Sequence, residues 1–224
     1  HGIAMKPGGG LVAAGYEDHG KMLRGLDWRI RSYSDQGSLE WSANYDTPNT
    51  IPGFDYIDEA RGVAVDGAGN VFVAGYSAWD GNGSDDGKDF HIQKYSPAGA
   101  LQWSKRWPSV GANPLNDYAL GVAVCPDGNI IAAGWEDQSS AGQGTNWRVA
   151  KFRSVDGLPE GSFGGGNVYF NGSENKDDVA WGVAVEDSGS VYVAGAETRT
   201  DPDMGWGYVF LLHKYKPDGT LDWA

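Results

Sequence analysis

Gly62-Val63-Ala64-Val65-Asp66-Gly67-Ala68-Gly69-Asn70-Val71-Phe72-Val73-Ala74-Gly75 is the stretch whose reading decides the fold. It returns as Gly121-Val122-Ala123-Val124-Cys125-Pro126-Asp127-Gly128-Asn129-Ile130-Ile131-Ala132-Ala133-Gly134. It returns again as Gly182-Val183-Ala184-Val185-Glu186-Asp187-Ser188-Gly189-Ser190-Val191-Tyr192-Val193-Ala194-Gly195. A looser copy runs from Gly2 to Gly15, departing at Met5-Lys6-Pro7. The leading glycines at 2, 62, 121 and 182 are spaced by 60, 59 and 61 residues. So regular a period over the whole length marks an array of one supersecondary unit.

Each unit reads as four short strands. In the second, a small apolar strand at 63–65 precedes a tight glycine turn, and a nearly continuous apolar strand follows at 71–76. A polar loop leads to an alternating strand at 90–95, then Ser96-Pro97-Ala98-Gly99-Ala100 turns into a fourth strand at 101–107. The third strands of the other units fall at 28–33, 147–152 and 210–215, and the third unit lacks the Leu-x-Trp spelling of the fourth strand. No segment carries a helical stripe. The expectation is an all-β chain, a β-propeller of four ~60-residue, four-stranded blades. These form either a closed four-bladed ring or part of a larger one. Blades fall at about 1–58, 59–117, 118–178 and 179–224 in a single array. A long β-sandwich or a solenoid is the rival plan.

The repeated Gly-Val-Ala-Val and Val-Ala-Gly spellings, with Lys-Tyr-x-Pro-x-Gly-x-Leu-x-Trp, resemble bacterial β-propeller repeats of the SBBP and delta-60 type. The link from Gly157 to Gly166 is similar to the delta-60 link between units. The resemblance implies secreted or surface-exposed bacterial proteins, usually with more repeats, that bind or scaffold. It implies no common catalytic residues.

With 17 basic and 30 acidic residues the formal charge is −13, which disfavours nucleic acid and anionic membranes as partners. Cations, or basic and polyhydroxyl ligands, suit it better. A lone Cys125 allows no internal disulfide, and no apolar run approaches the ~20 residues of a membrane span. The chain starts at His1, in mid-pattern, and stops at Ala224 where the second unit continues; both ends read as cut from a longer chain.

Antiparallel order puts the turns after strands one and three on one rim, and the longer loops on the other: 16–26, 76–88, 135–145 and 196–207 within blades, and 45–58, 107–117 and 168–178 between them. Function concentrates in long loops on a rigid scaffold. Eighteen of the thirty carboxylates lie in or beside these long loops. Asp58, Asp117 and Asp178 recur four residues before a leading glycine. Such aspartates accept backbone N–H bonds and hold crossing loops. Glu17, Glu136 and Glu197 recur two residues after the closing Ala-Gly, where the second unit has Ser77. These four positions are candidate ligand contacts, with Trp79 and Trp206 as exposed rings for stacking. Tyr16, Tyr76 and Trp135 read instead as packing between blades, while Trp107, Tyr118 and Tyr45 join the rim aromatics. Asp80, Asn82, Ser84 and Asp86 alternate with other residues as oxygen ligands for calcium do, although glycine and glutamate are missing at the two positions an EF-hand needs.

No nucleophile elbow, phosphate loop or histidine metal pattern is present. Taken with what the resemblance implies, the sequence points to a non-catalytic, extracellular or cell-surface binding or scaffold propeller for glycan or protein ligands, without membrane insertion. A glycosidase or lyase with carboxylates at the channel mouth is the alternative. A third possibility is a structural subunit that forms homo-oligomers or larger assemblies through open blade edges.

Overall fold

A computed structural model describes residues 1–18, 25–48, 56–78, 87–107, 115–201 and 205–224. It contains four separate four-stranded antiparallel sheets, each built from consecutive strands. Blade one comprises β1 (Gly2–Met5), β2 (Leu11–Asp18), β3 (Leu26–Tyr33) and β4 (Leu39–Tyr45). Blade two comprises β5 (Glu59–Val65), β6 (Val71–Ala78), β7 (Lys88–Tyr95) and β8 (Leu101–Trp107). Blade three comprises β9 (Asp117–Val124), β10 (Ile130–Asp137), β11 (Thr145–Phe152) and β12 (Asn167–Phe170). Blade four comprises β13 (Asp178–Val185), β14 (Val191–Asp201), β15 (Gly205–Tyr215) and β16 (Leu221–Trp223). The chain is all-β and propeller-like, as the repeat implies. Among the described residues the array is open, with no closure of the fourth sheet onto the first.

The first-to-second turns form because a glycine takes a left-handed backbone where a three-residue loop needs it. Gly69 has φ 84°, and Asp66 accepts hydrogen bonds from the Ala68 and Asn70 amides at 2.9 and 2.8 Å.

Alternation then divides each sheet into two apolar faces. Val12, Ala14, Trp28 and Ile30 of blade one pack on Ala60, Val63, Val71, Val73 and Tyr95 of blade two. The opposite face of blade two, with Phe72, Phe90 and Ile92, packs on Ile130, Ala132, Ala150 and Phe152 of blade three. Trp147 and Val149 of blade three in turn meet Val191, Val193 and Tyr215 of blade four. One face of each sheet thus always covers the other face of the next.

The period in glycine has a physical cause. First strands of consecutive blades run so close that a Cβ on Gly62 would lie 3.1 Å from Gly121 Cα, and one on Gly121 would lie 3.3 Å from Gly182 Cα. The closing glycine answers a different constraint. In blades two to four the first strand carries a bulge at Arg61, Leu120 or Trp181. The bulge drives a carbonyl at the second strand. A Cβ on Gly75, Gly134 or Gly195 would lie 2.1, 1.8 or 2.1 Å from the oxygen of Glu59, Tyr118 or Val179. Only glycine fits there.

The Leu-x-Trp spelling also has a task. The Trp41 indole donates to the Pro97 carbonyl at 3.0 Å, and the Trp103 indole donates to that of Ser154 at 3.0 Å. Each tryptophan lies over the turn glycine of the next blade, Gly99 or Gly157. In the third unit β12 supplies the fourth strand without a tryptophan. The Phe163–Gly164 link and Val168 cover Gly219 instead, and the Gly164 amide donates to the Asp218 carbonyl at 2.9 Å.

Two sequence boundaries are corrected. Of residues 196–207, expected as a loop, 196–201 and 205–207 extend the β14–β15 hairpin, which pairs from Val191↔Tyr215 out to Asp201↔Gly205. Residues 168–170, assigned to a crossing loop, belong to β12.

Candidate functional site

At the end of the blades that carries the long connections, the recurring aspartates are buried. Asp58, Asp117 and Asp178 are 0, 1 and 0 % exposed. Asp58 accepts hydrogen bonds from the Thr47 amide and hydroxyl at 2.6 and 2.8 Å and from the Ala78 amide at 3.0 Å. Asp117 accepts from the Asp137 amide at 3.1 Å, and Asp178 from the Gly172 amide. They clamp the crossing loops to the ends of second strands, or to the loop itself, as short carboxylates do in turns. Burial, the largest influence, pushes Asp58 and Asp117 up to about 7 and Asp178 up to about 6.

The recurring glutamates are tied to arginines. Arg29 Nε lies 2.7 Å from Glu17, and Arg31 lies 3.8 Å from it. Arg148 lies 3.7 Å from Glu136, and Arg199 contacts the almost fully buried Glu197. The geometry in blades one and three is the same. Gly15 is paired with Arg29 and Gly134 with Arg148, so the arginine crosses a position without a side chain to reach the glutamate two residues on. Asp117↔Glu136 and Asp178↔Glu197 are cross-strand pairs, so an aspartate stands opposite a glutamate in both later blades. Ser77 is fully buried, and its hydroxyl finds no hydrogen-bond partner among the described residues.

A trio missed in the sequence stands near Asp58. Asp27, Asp46 and Asp58 each offer an oxygen, all within 4.8 Å of one another, a set that could hold a cation. Only Asp58 belongs to the recurring pattern, and the fold alone brings the other two to it. Trp79 and the expected calcium ligands Asp80, Asn82, Ser84 and Asp86 lie outside the described residues.

Most rim aromatics turn out to be core. Trp107 packs on Phe152 with ring centroids 4.3 Å apart, and Tyr45 on His91 at 4.7 Å. Tyr118 stacks on Trp135 at 4.2 Å and meets Tyr76 of the preceding blade at 4.0 Å. Tyr16, expected to pack between blades, is 44 % exposed. Trp206 is the opposite case, 69 % exposed. It borders a depression of about 400 Å³ lined by Gly142, Gln143, Gly144, Lys176, Asp177 and Thr198, among others. Three elements meet in this hollow: the β10–β11 loop, the crossing from blade three to blade four, and the β14–β15 hairpin. Its walls are braced from within. The Thr145 amide donates to Asp177 Oδ1 at 3.0 Å, and the Thr198 hydroxyl and amide donate to the Asp177 carbonyl at 2.6 and 3.1 Å. The Lys176 ammonium donates to Thr200 Oγ1 at 3.1 Å.

A β-propeller repeat family, SBBP, matches residues 54–78, and a β-propeller domain of unknown function, DUF5122, matches residues 125–163. A search of curated protein sequences found no match. Among solved structures the chain is similar to MPT-4, a mannose phosphorylase from Leishmania mexicana, at 12% identity over 98% of this chain and 66% of that one, with a TM-score of 0.46. It is similar to MPT-1, a GDP-Man-dependent mannosyltransferase of the same organism, at 11% identity over 98% and 65% of the two chains, with a TM-score of 0.42. A gluconolactonase from Xanthomonas campestris aligns at 12% identity over 96% and 79%, with a TM-score of 0.37. The chain thus spans just under two thirds of the length of the first two. Two β-propeller family models match parts of the chain, in keeping with its four four-stranded sheets.

Proposed function

We propose that the chain is a non-catalytic binding propeller of the bacterial exterior that takes a polyhydroxylated ligand, a glycan, in the depression beside Trp206. The exposed Trp206 ring at the lip of a polar-lined hollow carries this reading. A sugar ring stacks its C–H face on an indole while its hydroxyls reach amide, hydroxyl and charged groups such as Gln143, Thr198 and Lys176. The bracing by Asp177 and Thr198 supports a pre-formed site, which lowers the entropic cost of binding. A glycan array followed by titration of the best ligand tests it. Binding should weaken on Trp206→Ala, while unchanged affinity, or no glycan bound at all, would remove the proposal.

An enzyme remains the second reading because of one arrangement. Asp117, lifted to about 7, stands opposite Glu136 in the ladder, as a carboxylic acid stands beside a carboxylate in acid–base hydrolysis. Turnover of a labelled polysaccharide, lost on Glu136→Gln, would establish it. The contact of Arg148 with Glu136 favours the binding reading, since it holds that carboxylate in an ion pair.

A further inference from the structure

We propose that the exposed face of blade four docks, head to tail, on the exposed face of blade one in a second copy of this chain. All three internal interfaces share an inserted third-strand aromatic and an axial glycine contact, two of them add a tryptophan over a turn glycine, and the two ends of the array carry the unmatched halves.

At each internal interface the aromatic that opens the third-strand core enters the following blade. Trp28 enters beside His91 at 4.7 Å, and Trp147 beside His213 at 4.7 Å. Phe90 lies beneath the Arg148 guanidinium, 4.8 Å from it. In blade four the equivalent residue is Phe210, 67 % exposed, flanked on the same face by the exposed Tyr208 and Leu212. In blade one the receiving socket is empty. Gly15 and Ala13 floor a hollow of about 300 Å³ bordered by Arg29, Arg31 and Tyr33. Arg29 stands where Arg148 stands in blade three, opposite the closing glycine. Phe210 beneath Arg29 would reproduce the Phe90–Arg148 contact.

The outer contact is unmatched in the same way. Trp41 and Trp103 cover Gly99 and Gly157 of the following blade, whereas a Cβ on Gly37, their counterpart in blade one, meets nothing within 4 Å. Trp223, at the tip of blade four, is 44 % exposed. The axial contact is unmatched too. Gly2, Gly62 and Gly121 each press on the first strand of the following blade, and Gly182 meets nothing within 4 Å. On the receiving strand, Ile3 and Met5 stand 68 and 69 % exposed where Val63 and Val65 of blade two are covered. Because the two faces differ, the contact is heterologous and one copy can pass its free face to the next.

Light-scattering mass measurement of the whole chain across a concentration series tests this, with circular dichroism as the control for folding. The wild-type chain should reach at least twice the monomer mass. Phe210→Glu should weaken self-association by ~30-fold or more, as loss of a central aromatic anchor does, and Trp223→Ala should weaken it less. Gly15→Trp, which fills the socket, should block it as well. An equimolar mixture of the Phe210→Glu and Gly15→Trp chains should form a two-chain complex, because each retains the face that the other has lost. A wild-type chain at monomer mass throughout, whether its faces close on each other or serve a different partner, would overturn the proposal. So would a Phe210→Glu chain that associates as the wild type does, or a mixture that stays monomeric.

Discussion

Trp28 lies directly on Gly75. A Cβ on that glycine would fall 2.9 Å from the indole Cζ2, and the indole nitrogen donates to the neighbouring Tyr76 carbonyl at 2.9 Å. Two blades on, Trp147 repeats the relationship with Gly195, at 2.7 Å, and with the Ala196 carbonyl, at 2.9 Å. A large ring on one blade and an absent side chain on the next thus form one joint, used twice.

Removing the ring opens that joint. Trp28→Ala and Trp147→Ala each leave a cavity in a fully buried position and a carbonyl that has lost its indole donor. Each should cost about 3–5 kcal/mol. Chemical denaturation should show midpoints far below wild type, and a shift of a few tenths of a molar would contradict the joint.

Filling the glycine should be as harmful in two blades and harmless in another. At Gly134 and Gly195 a methyl group would strike the bulge carbonyl at 1.8 and 2.1 Å, whereas at Gly15 the nearest atom is the His1 nitrogen at 3.4 Å. Gly134→Ala and Gly195→Ala should each destabilise by at least ~2 kcal/mol, and Gly15→Ala by less than ~0.5 kcal/mol. Equal melting temperatures for the three would refute the role given to the bulge.

Stability should fall as pH rises from about 5 to 8. Burial holds Asp58 and Asp117 at about 7 and Asp89 and Asp178 at about 6. An unfolded aspartate titrates near ~3.9, so over this interval the folded chain binds more protons than the unfolded one. The stabilisation is complete below the unfolded value and is lost as pH passes upward through the folded values. Burial holds the His91 and His213 imidazoles below their usual value, which offsets part of this. Melting curves at pH 5, 6, 7 and 8 should show a net loss of roughly 4 kcal/mol. Asp117→Asn should flatten the profile, and a melting temperature that climbs with pH would contradict it.

For the depression at the rim, Trp206→Ala should lower glycan affinity about tenfold without moving the melting temperature, since the ring is 69 % exposed. A large drop in melting temperature would mean that Trp206 serves the fold and not a ligand.

Much of this was legible in the sequence. The glycine period gave the number of sheets, and the turns gave their hairpins, because Gly69, Gly128 and Gly189 all take the left-handed backbone that the loop demands. The clamp role of Asp58, Asp117 and Asp178 followed from side-chain chemistry alone. The fate of Glu17 and Glu136 did not, because their arginines lie on the third strand and reach them across glycines that a linear pattern does not connect. Trp107 and Tyr45 looked like rim residues from their place at strand ends, yet strand twist and the neighbouring sheet bring them onto Phe152 and His91. The β14–β15 extension was hidden by glycines at 205 and 207. There, Thr198 and Thr200 pair with Tyr208 and Trp206, a match visible only once the register is known.

The claim that consecutive sheets interlock through buried indoles is tested most directly by hydrogen exchange at the tryptophan Nε1–H groups, read residue by residue by NMR. Trp28 and Trp147 should exchange roughly a thousandfold or more slowly than Trp206, since their protons are released only when a joint opens. Exchange of all three at one fast rate would mean that the sheets do not pack in this way.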